Sequence, residues 1–440
     1  MTRWTRTVLA AVGAVSAAWA VMPAASRTVR AGDLEAEPIR YSKAMDDNPA
    51  GRLARKLEAG TAALESQRDL GRLRAVLKAL EVPESSQVLV FSKTSLQAHR
   101  IGPRTPRALY FNDDVYVGFC KGGEVVEVSA ADPALGTVFY TLNQSADEPA
   151  RLTRQGDNCL ICHGSSRNHG LPGHLVRSVY VDREGYPILS AGGRLITHES
   201  PFEVRWGGWY VTGTHGSQRH LGNLAVAGRD LNPERVDNSQ GQNVTDLSTR
   251  FETGDYLTPH SDLVALMVLE HQAEMHNLIA RATLQGRMAL HDEAALNREL
   301  GRPAGERWGS TESRLKAAAE PVARYMLFAG EPPLAEPVKG TSSFAADYAA
   351  RGPKDSKGRS LRELDLKRRL LRYPCSPLIY SKSFDAMPRE VRDRVLRRML
   401  EVLSGRDTSK DFAHLSAEDR RAILEILRET KPDLPEEWHR

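Results

Sequence analysis

Residues 106–143 read PRALYFNDDVYVGFCKGGEVVEVSAADPALGTVFYTLN. β-Branched and aromatic residues fill 108–111, 115–120, 125–128 and 137–142, the composition of strands that pack on a pleated surface. Asn112-Asp113-Asp114 and Lys121-Gly122-Gly123 separate the first three runs. Short polar or glycine-rich gaps of this kind close hairpins, so the stretch predicts an antiparallel β-meander. The apolar run at 88–91 adds a strand before it.

Outward from the meander the character changes on both sides. Residues 33–45 are polar and read as a linker. Leu53, Leu57, Leu64, Leu70, Leu73 and Leu77 fall near helical spacing over 49–80, and Pro83 ends the run. Past the meander, 175–181 and 187–190 flank the turn Asp182-Arg183-Glu184-Gly185 and predict a second hairpin, and 206–212 a further strand. Residues 229–258 are rich in Asn, Gly and Pro and read as a loop. Ser261-Asp262 then offers a cap for a helix to about residue 285, and helices also fit 310–328, 388–403 and 417–428. The expected class is α+β. It comprises an N-terminal helical segment (33–85), a β-rich region (86–228), a loop (229–258) and a mainly helical region (259–440).

The chain has 440 residues, 26% of them charged, and a net charge of +4. That length allows two or three domains. The near-neutral balance gives no electrostatic case for a nucleic-acid partner. The start, MTRWTRTVLAAVGAVSAAWAVMPAAS, puts Arg3 and Arg6 before a short apolar run and Ala18-Trp19-Ala20 after it. This is the pattern of a secretory signal over residues 1–25, cleaved near 20–25. The rival reading is an uncleaved inner-membrane anchor, though the run is short of the ~20 apolar residues a span needs. No other stretch reads as an integral membrane segment. The mature chain is expected in the periplasm or otherwise exported.

Four cysteines are too few for a disulfide-dense scaffold. Two of them stand in Cys159-Leu160-Ile161-Cys162-His163, the spacing of c-type haem attachment. The two thiols add to the haem vinyl groups as thioethers, and the next residue, His163, is placed to ligate the iron. Gly164, Ser165 and Ser166 are small enough for close approach of a ring. One motif predicts one covalent haem c. The competing readings are a redox dithiol, a zinc site and an accidental pair. A dithiol of the thioredoxin type follows a strand and opens a helix in a βαβ unit, and a zinc site needs a second ligand pair; the sequence offers neither. Cys120 and Cys375 remain, either as a disulfide or as separate buried thiols.

The second axial ligand is open. No methionine follows His163 until Met267, but His169, His174, His198, His215 and His220 do. His215 and His220 are preferred, because Gly213 and Gly216 let the backbone approach a ring. In the helix at 265–282, Met267, His271 and Met275 share one face, which makes His271 and Met275 the other candidates. The ordinary reading of that face is core packing. A His and Glu pair there also allows a non-haem metal site. Trp206, Trp209 and Tyr210 could wall the haem, and Arg177 and Arg205 could pair with its propionates.

The blocks PRALYFNDDVYVGF, DPALGTVFYTL, NCLICHG, VRSVYVD, RWGGWYVTGTHG, ALMVLEHQAEMHN and YPCSPLIYSKSFDAMP resemble exported bacterial proteins described as single-motif cytochrome c domain-containing. They span about residues 90 to 390. The resemblance implies a covalent haem on Cys159 and Cys162 with His163 on the iron, and imports no reaction. The usual YPCSYLIY and FDALP read YPCSPLIY and FDAMP here, which makes Met387 a core substitution.

Three functions follow. One covalent haem outside the membrane suits electron transfer with a redox partner protein. The length exceeds the ~100 residues a simple carrier needs and favours a haem enzyme of the peroxidase or oxidase kind with an open iron site. A haem-based sensor or interaction protein is the third.

Overall fold

The computed structural model describes residues 34–439, except 166, 167, 169, 229, 230, 234 and 235. The expected signal or anchor at 1–25, and Ser166 and His169, lie outside the described residues.

The expected N-terminal helix is two short ones, α1 (Pro49–Glu58) and α2 (Leu73–Ala79). Gly60 and Gly71 take φ of +67° and +52° between them, conformations glycine adopts without steric cost. Asn48 caps α1 by accepting from the Gly51 N–H at 2.9 Å. The segment before it is not a linker. Leu34, Ile39 and Tyr41 are buried in the same core as the strands, and the Tyr41 hydroxyl donates to the Thr137 carbonyl at 2.7 Å.

The meander forms as expected and gains a strand. β1 (Val88–Val90), β2 (Arg107–Phe111), β3 (Val115–Phe119), β4 (Val125–Asp132), β5 (Gly136–Asn143) and β6 (Leu152–Gln155) lie side by side in chain order, every neighbouring pair antiparallel. β6 escapes sequence reading because LTRQ is a short, largely polar edge strand. Asn112 Oδ1 accepts from the N–H groups of Asp114 and Val115, and Asp132 Oδ1 from those of Ala134 and Leu135. These side chains stand in for backbone in the turns.

Register assigns the two faces. Tyr110, Val117, Val128 and Tyr140 are cross-strand partners and bury into the core with α1 and α2. Leu109, Gly118, Glu127 and Thr141 form the adjacent row on one side, and Tyr116, Ser129 and Phe139 the adjacent row on the other. Both of these rows point to the opposite face, because side chains alternate along a strand.

α3 (Asp157–His163) follows β6 directly and carries the cysteine motif. The second hairpin is shifted. β7 (Arg177–Val179) pairs with β8 (Gly193–Leu195), and residues 187–190 contribute only a bridge from Pro187 to Val181. The expected strand at 206–212 is broken. Trp206 takes a φ of +64°, and the segment makes isolated bridges, Trp209 to Val90 and Thr212 to Asp262. β9 (Gly213–Thr214) pairs with β10 (Lys339–Gly340).

α4 (Leu263–Glu299) runs well past the expected end near 285. Asp262 caps it, Oδ1 accepting from Val264 and Ala265. Gly286 does not stop it. A Cβ there would come within 2.6 Å of Val391 Cγ2, so the glycine serves a close helix crossing. The remaining helices are α5 (Gly309–Met326), α6 (Phe344–Ala350), α7 (Lys382–Asp385), α8 (Arg389–Leu403) and α9 (Ala417–Thr430). α4 places Leu284 in the sheet core, Met275 in the core with α5, α8 and α9, and Met267 in a third core with β1 and α6. Each buried side chain of this size contributes about 1.5–3 kcal/mol, so one helix ties the sheet to the helical half. Among the described residues, no helix is long and apolar enough to cross a membrane.

Candidate functional site

The sheet face turned away from α1 and α2 floors a cavity of about 470 Å³. Arg107, Gly118, Glu127, Ser129 and Phe139 lie on its floor, Leu269 and Ala273 of α4 and Trp209 cover it, and Cys159, Cys162 and His163 close one end. The volume falls within the ~300–1,000 Å³ of ligand clefts.

His163 is held in one orientation. Its Nδ1 lies 2.8 Å from the Gly173 carbonyl oxygen, a bond that requires the hydrogen on Nδ1 and leaves the Nε2 lone pair unprotonated. The Gly173 N–H donates back to the His163 carbonyl at 3.1 Å. The ring rests 4.7 Å from that of Phe139. Burial lowers the His163 pKa, against the opposing effect of the Gly173 bond, which favours the neutral imidazole. A neutral imidazole with one nitrogen donating to a carbonyl is how proteins orient a metal-ligating histidine. The supporting loop is itself fixed from α4: Asn277 accepts from the His174 N–H and donates to the His174 carbonyl, both at 2.8 Å. A Cβ on Gly173 would collide with Asn168 and Asn277, so the position requires glycine.

Cys159 is half-buried, Cys162 exposed, and both are free thiols. Burial pushes the Cys159 thiol up to about 11, with Glu127 and Cys162 adding to it. A redox dithiol works through a depressed pKa, so this environment disfavours that reading. Among the described residues no three His, Cys, Asp or Glu side chains converge as a metal-binding group, which leaves a zinc site or a non-haem site on α4 without a donor set there. Cys120 and Cys375 are also free and buried, and no disulfide joins them. Burial raises both thiols, Cys120 to about 11.

The residues present fit a haem attached at Cys159 and Cys162. Two thiols and an oriented imidazole stand on one wall, and Leu109, Phe139, Trp209 and Leu269 supply flat apolar surface. Arg107 Nε is buried without a hydrogen-bond partner. Gly118 keeps the floor low: a Cβ there would strike the Arg107 guanidinium. Arg177 lines the cavity as a propionate partner could. Arg205 does not; it is buried in an ion pair with Glu270. Trp206 donates to the same carboxylate at 3.1 Å, and the Tyr210 hydroxyl to the Pro103 carbonyl at 2.6 Å.

The four candidates for the second axial position lie elsewhere, and none lines the cavity. His215 and His220 sit together, ring centroids 4.7 Å apart, beside Phe202. His271 stacks on Tyr325 and Phe328, its Nδ1 2.8 Å from Nδ1 of His198. Met275 is fully buried in the helical core. Those α4 residues serve packing and internal polar pairing.

Sequence reading missed Arg107, Glu127, Tyr116, Ser129 and His174 as cavity residues. The signal was present in the meander: Arg107, Glu127, Ser129 and Thr141 occupy the alternate positions of apolar strands, and period two puts them on one face. Comparison of the chain with family models, curated proteins and solved structures finds no match.

Proposed function

We propose that this chain is an exported c-type cytochrome that holds one haem covalently and exchanges electrons with a redox partner protein. The observation that carries the reading is the bond from His163 Nδ1 to Gly173, which frees Nε2 at a cavity bordered by both motif cysteines. A bound haem supplies a one-electron couple at its iron. Cys159 and Cys162 would hold it, His163 would ligate the iron, and Gly173 and Asn277 keep that imidazole in place. Phe139, Trp209 and Leu269 would pack against the ring. The exposure of Cys162 and Ile161 supports this reading, because a haem attached there would have an edge at the surface for electron exchange with a partner. The export pattern of residues 1–25 and the resemblance to single-motif cytochrome c domain-containing proteins agree with this role.

A second reading, a haem enzyme with an open iron position, has one observation in its favour. Among the described residues lining the cavity there is no methionine, and the second histidine, His174, is engaged with Ser129 and Thr137.

The test is covalent haem in protein expressed with its own export segment and the host's haem-attachment machinery. Haem staining on a denaturing gel and a mass increase of one haem are expected, both lost in Cys159→Ala/Cys162→Ala. Haem that extracts from denatured wild type into acidic organic solvent would overturn the reading.

A further inference from the structure

We infer that Glu274 and Asn277 of α4 are positioning residues that set the electron density of the His163 imidazole, and with it the reduction potential of the haem, through one hydrogen-bond chain. This rests on the reading of His163 as the iron ligand.

What each atom can donate fixes the links. His163 Nδ1 gives its hydrogen to the Gly173 carbonyl at 2.8 Å. That carbonyl belongs to the same peptide unit as the His174 N–H, which donates to Asn277 Oδ1 at 2.8 Å. A backbone N–H only donates, so the Asn277 atom facing it is the oxygen, and the amide has one orientation. Its Nδ2 then meets two acceptors, the His174 carbonyl at 2.8 Å and Glu274 Oε2 at 3.1 Å. Imidazole, peptide unit, side-chain amide and carboxylate thus stand in series, and every donor in the series points toward Glu274.

Such a series polarises in one direction. The nitrogen of an amide shares its lone pair with the carbonyl, so an N–H drawn to an acceptor makes the carbonyl oxygen more negative. The Glu274 carboxylate acts this way on Asn277, and Asn277 on the 173–174 peptide. Hydrogen bonds in series strengthen one another by about 10–30% per bond. A stronger acceptor at Nδ1 makes the imidazole a more basic ligand, which favours ferric over ferrous iron. Asn277 is buried, and Gly173 lets it come close, since a Cβ there would collide with Asn277 Oδ1. Glu274 is half-buried one turn before it. Burial raises the Glu274 carboxyl, the Asn277 bond opposes this, Glu199 adds to it and Arg281 opposes it.

The experiment uses the haem-loaded full chain at about pH 8, above the ordinary carboxylate range. The potential is read from haem absorbance in equilibrium with redox dyes, and stability from the urea midpoint. Glu274→Gln keeps the shape and an acceptor for Asn277 Nδ2 but removes the charge. It should raise the equilibrium constant for haem reduction several-fold with an unchanged urea midpoint, which a merely structural role would not do. Glu274→Asp keeps the charge but draws it back from Nδ2, and should raise the constant in the same direction. In an Asn277→Ala background, Glu274→Gln should have no further effect. Equal potentials in wild type and Glu274→Gln overturn the inference. So does a shift in Glu274→Gln with none in Glu274→Asp, or one of equal size in both backgrounds, because the charge would then act through space. The comparison of Glu274→Gln with Glu274→Asp stands alone if Asn277→Ala fails to fold. Haem staining on a denaturing gel identifies a failure of covalent attachment, and wild-type absorption in His163→Ala a failure of the ligand reading.

Discussion

Gln272 of α4 donates to the phenol oxygen of Tyr116 on β3 at 2.9 Å and to the carbonyl oxygen of Asn112 at 2.6 Å. One turn on, His276 Nε2 lies 2.7 Å from the Asp113 carbonyl. The helix thus holds the β2–β3 turn, and with it a ring of the cavity wall. The long C-terminal half builds part of the site: it supplies Leu269 and Ala273 to the lining and secures His174 through Asn277.

Gln272→Leu removes both bonds and leaves the half-buried Asn112 carbonyl without this donor. The expected loss is about 1–3 kcal/mol, read as a lower urea midpoint with unchanged haem absorption. An unchanged midpoint would show that the clamp contributes nothing to stability.

Buried histidines make the fold sensitive to acid. His198 Nε2 lies 3.2 Å from the Ala329 carbonyl, so it carries the hydrogen, and His198 Nδ1 accepts from His271. His271 Nε2 then accepts from Ser376 at 2.8 Å, and the Nδ1–Nδ1 contact between the two rings holds a single proton. Burial brings His198 to about 3, and His220 likewise to about 3 with His215 contributing. A folded pKa below the unfolded 6.5 means that protons bind the unfolded chain first. The stability from each group is full above 6.5 and falls away toward 3. The buried carboxyls Glu270 and Glu331, raised to about 7 by burial, act in the opposite direction, so a variant isolates the effect better than wild type alone. Between pH 7 and pH 5, the change in stability of His220→Gln should be more favourable than that of wild type by roughly 2 kcal/mol. Parallel stability curves for the two proteins would contradict it.

How much of this was legible in the sequence depends on how local the signal was. The five expected strands of the meander and the helices near 310–328, 388–403 and 417–428 could be read because period and turn chemistry are local. α4 was read too short, because Gly286 looks like a weak helix position until Val391 is seen against it. The break at 206–212 rests on the positive φ of Trp206, which no propensity reveals. Within the site, Cys159, Cys162 and His163 are adjacent in sequence and were legible as a motif. Arg107 and Glu127 are 20 residues apart and meet only through strand register. The axial candidates His271 and Met275 share a helix face, but that face packs against α5 and its neighbours, whereas Leu269 and Ala273 reach the cavity.

That placement makes a negative prediction. His215→Ala, His271→Ala and Met275→Leu should each leave the absorption of the haem-loaded protein unchanged, since none of the three lines the cavity. Truncating Met275 to Ala should still cost about 2–5 kcal/mol as a core cavity. A change of the haem absorption in any of the first three variants would return that residue to the iron.

Gly118 offers the most direct test of where the floor lies. Its neighbours Leu109 and Glu127 flank it across β2 and β4, and its φ is outside the positive region reserved for glycine. Valine there suits the strand itself. The added Cβ would nevertheless strike the Arg107 guanidinium, forcing it off Glu127 and raising the floor by a branched side chain. Gly118→Val should therefore retain the far-ultraviolet circular dichroism of the sheet while its haem-to-protein ratio falls several-fold. Loading equal to wild type would mean that the haem does not lie over β3, and the site would then have to be sought on the outer side of α3.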